Sequence, residues 1–222
     1  MWADLLPVLF AMMISPARTL AVIILLHTPK STSTALSYVG GMVSAMVVQG
    51  AGLGAAMSLV GLTSDDRSGD LSVFVGALFL VGGIILLAGA LKIATAPASG
   101  GGSLASALDH LESVDPTAAY KVGFGWLFAS PKQWVFVLTA VAVIFAADLR
   151  AVGSLANFVV FTLLVQAAYF MIIGGFALAR DRVGPILDSV FGSIRAHLRP
   201  IAIGLFAGFG IIFLLKGLSS LS

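Results

Sequence analysis

Six long apolar runs dominate this chain, and two of them are broken in the same way near their middles. The runs cover roughly residues 3–26, 35–60, 71–94, 120–147, 152–179 and 199–218. Each holds about the 20 apolar residues that a bilayer's hydrocarbon core requires of a helix. Ser15-Pro16 interrupts the first run and Ser130-Pro131 the fourth. Arg18 follows the first pair and Lys132 the second. Charged residues are only 10% of the chain, against roughly 25% in soluble domains. The predicted fold class is therefore an all-α integral membrane protein with six transmembrane helices, of which helices 1 and 4 are broken.

Proline lacks an N–H and fixes its own φ, so it starts helices and disrupts their interiors. The residue before it is pushed out of helical geometry, and a serine there can cap the N–H groups that follow. Ser-Pro is thus a helix start placed where a helix should already be running. The expected structure is a half-helix beginning near the membrane midplane, with free N–H groups and a positive dipole end that favour anions. Apart from Asp4 at the very start of the first run, no Asp or Glu lies inside the six runs to pair with Arg18 or Lys132. A lone cation at mid-membrane costs about 2.5–3.5 kcal/mol even on lenient scales. A water-filled cavity, backbone carbonyls or a bound anionic group must offset it. The plainer alternative is a kinked helix whose cations reach a boundary or cap carbonyls.

The two Ser-Pro pairs lie 115 residues apart. The same offset carries the second run onto the fifth, and the third onto the start of the sixth with a looser fit. Three spans per half is an odd number, so the halves enter the membrane from opposite sides. The expectation is a 3+3 inverted-topology repeat within a single membrane domain, 1–222. Repeat 1 covers 3–94 and repeat 2 covers 120–218, with the substrate site where they meet. The connection 95–119 begins as a Gly/Ser linker. It continues as a short amphipathic helix around Leu104, Leu108 and Leu111 that anchors at the membrane surface.

Loops one, three and five carry Lys30, Lys92, Lys121, Arg180, Arg182, Arg195 and Arg199, while the other side carries Arg67, Arg150 and Lys216. The excess places those three loops in the cytoplasm and both termini outside the plasma (inner) membrane. The acidic Asp65-Asp66 loop then faces outward. His27 falls at the cytoplasmic boundary with no chemistry assigned.

The candidate substrate-binding set is Ser15, Pro16, Arg18, Ser130, Pro131, Lys132 and Gln133 at the two half-helix starts. Gln49, Gln166 and Tyr169 join them as polar side chains within spans two and five. These three, like Asn157, serve interhelical hydrogen bonds more commonly than ligands. Gly50 and Gly54, and Gly204 and Gly208, read as close-packing faces that suit a homodimer. The chain has no cysteine, and its three histidines are scattered. That removes disulfide chemistry and thiolate metal sites, and no cofactor is expected. A net charge of +2 gives no case for nucleic acid. No nucleophile elbow, Walker sequence or carboxylate pair appears, so no enzymatic activity is expected.

Paired proline motifs in spans one and four of a six-span repeat resemble the LysE superfamily of exporters. The segment from Leu108 through Asp115-Pro116 to Gly123, leading into Ser130-Pro131-Lys132, is more specific. It resembles the GAP family, the glycopeptidolipid- and sulfolipid-addressing proteins of actinobacteria. The family pattern has Asn-Pro-Lys where this chain has Ser130-Pro131-Lys132, which keeps a capping residue but changes the side chain. Ser15-Pro16 and the closing Leu214-Leu-Lys216-Gly217-Leu218 also agree. The resemblance implies a transporter or flippase-like protein that assists export of cell-envelope glycolipids, with membrane lipids and a large inner-membrane lipid exporter as partners. Two other readings stay open: an exporter of an amino acid or similar zwitterion, and a non-transporting scaffold for the larger exporter.

Overall fold

The computed structural model describes residues 1–28, 30–59, 68–96, 111 and 114–220, with backbone alone for 68–72. The loop carrying Asp65, Asp66 and Arg67 and the larger part of the linker, with most of its expected amphipathic helix, lie outside the described residues. Of that helix only Leu111 is described, and it is buried.

The first run forms two helices, α1 (Trp2–Met13) and α2 (Pro16–Leu26). Span two is α3 (Ser31–Leu59) and span three is α4 (Ser68–Thr95). The fourth run again divides, into α5 (Pro116–Phe128) and α6 (Pro131–Phe145). Span five is α7 (Ala151–Leu178), followed by α8 (Arg180–Ala196) and α9 (Leu198–Ser219). Proline occupies the start of α2, α5 and α6, where its missing N–H costs nothing. Asp115 caps α5 by accepting from the Ala118 N–H at 2.7 Å. A tight turn through Asp148, at φ 47°, joins α6 to α7.

Four helices, α3, α4, α7 and α9, are long and apolar enough to cross a membrane. The pairs α1/α2 and α5/α6 pass the same test together, bent by 52° and 72°, for up to six crossings. The chain is an all-α membrane protein. The stretch after span five differs from expectation. It reads as a loop in sequence, because four cations and Pro185 fall between 180 and 199, yet it folds as α8. The face Val183, Leu187, Phe191 and Ile194 recurs at helical spacing and packs on the core.

The second halves of the broken spans form the centre. Leu20 to Leu26 are buried on every face of α2, and most of Phe136 to Ile144 on α6. A helix apolar and covered all round belongs in a core. Around this centre the pairings come in matched couples. Helix α3 packs on α5 and α6, as α7 packs on α1 and α2; α4 packs on α6, as α9 packs on α2. The α4–α9 and α3–α7 pairs close the set. Leu155, Leu163 and Met171 on α7 and Leu215 on α9 point outward and exposed, as lipid-facing residues do.

Lipid tails are as apolar as leucine, so membrane helices gain by close approach rather than by the hydrophobic effect. The glycines supply that approach. A Cβ on Gly41 of α3 would lie 2.2 Å from the Tyr120 carbonyl oxygen, and one on Gly123 of α5 2.1 Å from that of Tyr38. Helices α4 and α9 meet through Gly83 and Gly210, and Gly217 sits 2.9 Å from the Gly76 carbonyl by the same measure. The expected face at Gly204 and Gly208 is not used within the chain, since nothing lies within 4 Å of either. Gly54 makes only ordinary contact with Phe145, whereas Gly50 is pressed against the Phe158 ring.

Gly41→Ala therefore drives a methyl into backbone that cannot rotate away, and it costs about 1–3 kcal/mol or more. Gly40→Ala, one residue away with open space, is neutral or better. Thermal unfolding of both variants in detergent separates them.

Candidate functional site

The two helix breaks leave carbonyls without intrahelical partners inside an apolar bundle, and the surrounding side chains answer to them. At the first break Ile14 (φ −87°, ψ 96°) and Ser15 (φ −134°, ψ 101°) are both extended. Arg18, 4% exposed, reaches back over the break and donates Nη2–H to the Met12 carbonyl. The Tyr169 hydroxyl, from α7, donates to the Met13 carbonyl at 3.2 Å. The Thr19 N–H and hydroxyl both donate to the Ser15 carbonyl, at 3.0 and 3.1 Å. At the second break Trp134 Nε1–H donates to the Phe128 carbonyl at 2.7 Å.

Neither Ser15 nor Ser130 caps its helix through the side chain. The expectation of serine caps is corrected: each serine gives its backbone carbonyl to the new helix instead, with Ser130 accepting from the Gln133 N–H at 3.0 Å. Arg18 likewise is not left wholly without a partner, because the break supplies a carbonyl as acceptor. Its guanidinium carbon also lies 5.9 Å from the centre of the Tyr169 ring. Lys132 Nζ lies 4.7 Å from the centre of the Phe206 ring on α9. Helix α1 packs on α6, which brings the two broken spans together.

A seam of buried polar atoms extends from Arg18 along the α3–α7 crossing. Arg18 Nη1, the Tyr38 hydroxyl, both amide atoms of Gln49, Gln133 Nε2, the Thr162 hydroxyl and Gln166 Oε1 are all buried with no hydrogen-bond partner among the described residues. Gln166 Nε2–H reaches only the Met46 sulfur, at 3.6 Å. The helices carry these groups at regular spacing. Tyr38, Met42, Met46 and Gln49 share one face of α3; Thr162, Gln166, Tyr169 and Ile173 share one face of α7. With Gly50 on Phe158 and Met46 on Gln166, the antiparallel register sets Gln49 level with Thr162.

The ten expected site residues thus fall into two groups. Ser15, Pro16, Arg18, Ser130, Pro131, Lys132 and Gln133 stand at the breaks, and Tyr169 bridges to the first of them. Gln49 and Gln166 lie further along the seam. Asn157 makes neither an interhelical nor a free contact, since its amide donates to the Gly153 carbonyl of its own helix at 2.9 Å. Tyr38 and Thr162 escaped the sequence reading. Helical spacing from Gln49 and Gln166 would have found both. His27, assigned no chemistry, pairs through Nε2 with Asp188 of α8 at 2.9 Å.

The arrangement offers two cations beside a line of neutral hydrogen-bonding groups, within a membrane-embedded bundle of broken helices. That combination defines a multi-pass helical membrane protein with an internal polar path. Residues 5–219 match the family model described as Sap, sulfolipid-1-addressing protein, and the chain belongs to that family. No curated protein and no solved structure matches it.

An unpaired buried polar group costs about 1–3 kcal/mol, and an apolar replacement of similar shape recovers that cost. Gln49→Leu is therefore expected to raise the thermal midpoint in detergent by about 2–4 °C per kcal/mol recovered. A lowered midpoint would mean that Gln49 serves the fold instead.

Proposed function

We propose that the chain is a six-span transporter that helps move a glycolipid of the cell envelope across the plasma membrane. The polar seam receives the headgroup, and the Arg18–Lys132 end receives its anionic moiety. The observation that carries this reading is the set of unpartnered buried polar atoms on α2, α3, α6 and α7. A fold has no use for them, and a polar ligand or a file of water does. The family's description supplies the lipid, sulfolipid-1, on which a member acts.

The matched helix pairings support a 3+3 inverted repeat, with α1 to α4 answering α5, α6, α7 and α9. In that arrangement loops one, three and five face the cytoplasm, and the termini face outward. The seam sits where the repeats cross, the usual place for a transported substrate. The protein works without enzymatic chemistry, beside a larger lipid exporter that supplies the driving force. A small zwitterion fits less well, since its ammonium needs a carboxylate and the seam offers only neutral acceptors.

The test is complementation of a deletion strain with full-length variants, followed by measurement of surface envelope lipid. Arg18→Gln and Lys132→Gln each remove a charged contact of about 1.5–3 kcal/mol. Delivery is expected to fall by about tenfold or more for either variant at normal protein level. Unchanged delivery in both removes the cations from the site. Purified protein that moves no labelled lipid in liposomes, beside variants that still fail in cells, would make it a scaffold rather than a transporter.

A further inference from the structure

The first broken span is tied to the second half of the chain at both of its ends. At the α1 end the Asp4 carboxylate accepts from Lys216 Nζ of α9 at 2.8 Å, and from the Met1 ammonium at 3.0 Å. At the α2 end His27 pairs with Asp188 of α8 at 2.9 Å. Helix α9 begins beside α8 and carries Lys216 in its last turn, so the two ties lie at opposite ends of the bundle. Each lines a cavity. One of about 250 Å³ is lined by Asp4, Lys216, Phe79 and Val143. One of about 420 Å³ is lined by His27, Asp188, Ile24 and Phe191.

Between the ties lies the break at Ile14 and Ser15, two extended residues flanked by helices bent by 52°. Arg18 spans this hinge with Nη2 on the Met12 carbonyl and Nη1 without a partner among the described residues. A ligand that draws Arg18 onto itself competes with the Met12 carbonyl and so changes the restraint on the hinge. Helix α2 runs unbroken from Arg18 to Leu26 and His27 is its C-cap, so a change at the hinge is felt at the far tie. All four latch side chains are part-exposed. Exposed pairs add little to stability, which suits contacts that must part and re-form.

From this geometry we propose that α1/α2 is a rocker: hinged at Ile14–Ser15, held at its ends by the Asp4–Lys216 and His27–Asp188 latches, and opening one cavity as it closes the other. This rests on the transporter reading above and specifies how the seam is reached from either end.

The absence of cysteine lets a single introduced thiol report by itself. Val143→Cys marks the cavity under Asp4–Lys216, and Ile24→Cys the cavity under His27–Asp188. In full-length protein in membranes, Asp4→Lys sets two cations against each other and opens the first latch. Maleimide labelling is expected to rise at Val143→Cys and fall at Ile24→Cys, by about two- to fivefold, the population shift such a pair commands. The exchange Asp4→Lys with Lys216→Asp restores both rates. Asp188→Ala gives the opposite pattern and serves as an independent variant. A rise at the opened end with no fall at the other, or no change at either end in both variants, overturns the rocker. Reciprocal labelling combined with undiminished lipid delivery in Arg18→Gln keeps the rocker and rejects the transport role.

Discussion

Everything at the centre of this protein depends on how two broken backbones are satisfied away from water. A backbone carbonyl left unpaired in hydrocarbon costs several kcal/mol, so non-helical backbone survives there only where protein or a polar cavity covers it. The two breaks share a Ser-Pro sequence but solve this differently. The second is closed locally, by Trp134 reaching over its own break to Phe128. The first is closed partly from afar, by Tyr169 of α7, and partly by Arg18. The first break is therefore wired into the opposite half of the molecule. Its geometry cannot change without disturbing α7, and the reverse holds too.

The glycines set the width of the seam that follows from those breaks. Helix α3 is pinned to α5 by Gly41 and Gly123, and to α7 by Gly50 against Phe158. Between these pins the α3–α7 crossing holds Met46, Gln49, Thr162 and Gln166, where unbranched Met46 gives the amide of Gln166 a weak, adaptable partner. Gln49 and Gln166 stand about one turn apart across the crossing, where polar residues between membrane helices commonly bond to each other. Here they do not, and both keep amide atoms free. A bundle selected only for stability would have closed that bond or used leucine.

Much of this was legible in the sequence because the signals were strong. Apolar run length fixed the spans, and Ser-Pro located both breaks to within a residue. What stayed hidden depended on partners distant in sequence or on weak periodicity. The lack of any acid near the breaks suggested an anionic ligand for Arg18, yet the break itself furnishes a carbonyl acceptor, and no composition argument counts those. Helix α8 was obscured by its arginines and Pro185, although its Val183–Leu187–Ile194 spacing was present. Tyr38 stands 11 residues before Gln49, about three turns along one face, and single-residue scanning does not connect them. The Gly204–Gly208 pair looked like a packing motif, but Gly210 and Gly217 face α4. Which of several glycines meets a neighbour is decided by helix rotation, and the sequence of one helix does not encode its rotation relative to the next.

Arg18 joins these strands of argument into one coupling. Its side chain has two nitrogens in play: one holds the hinge and one is unsatisfied. Complete pairing would make the hinge rigid and the cation inert. Complete freedom would leave a buried charge that the bundle could not tolerate. The half-paired state stabilises the charge enough to fold and keeps a donor for a ligand. Because α2 is covered on all sides, motion at Arg18 cannot dissipate into lipid. It must pass along α2 to His27 and α8, or over the break to α1 and Asp4. In the proposed rocker, a ligand that engaged Arg18 would act on both ends of the bundle through one helix pair.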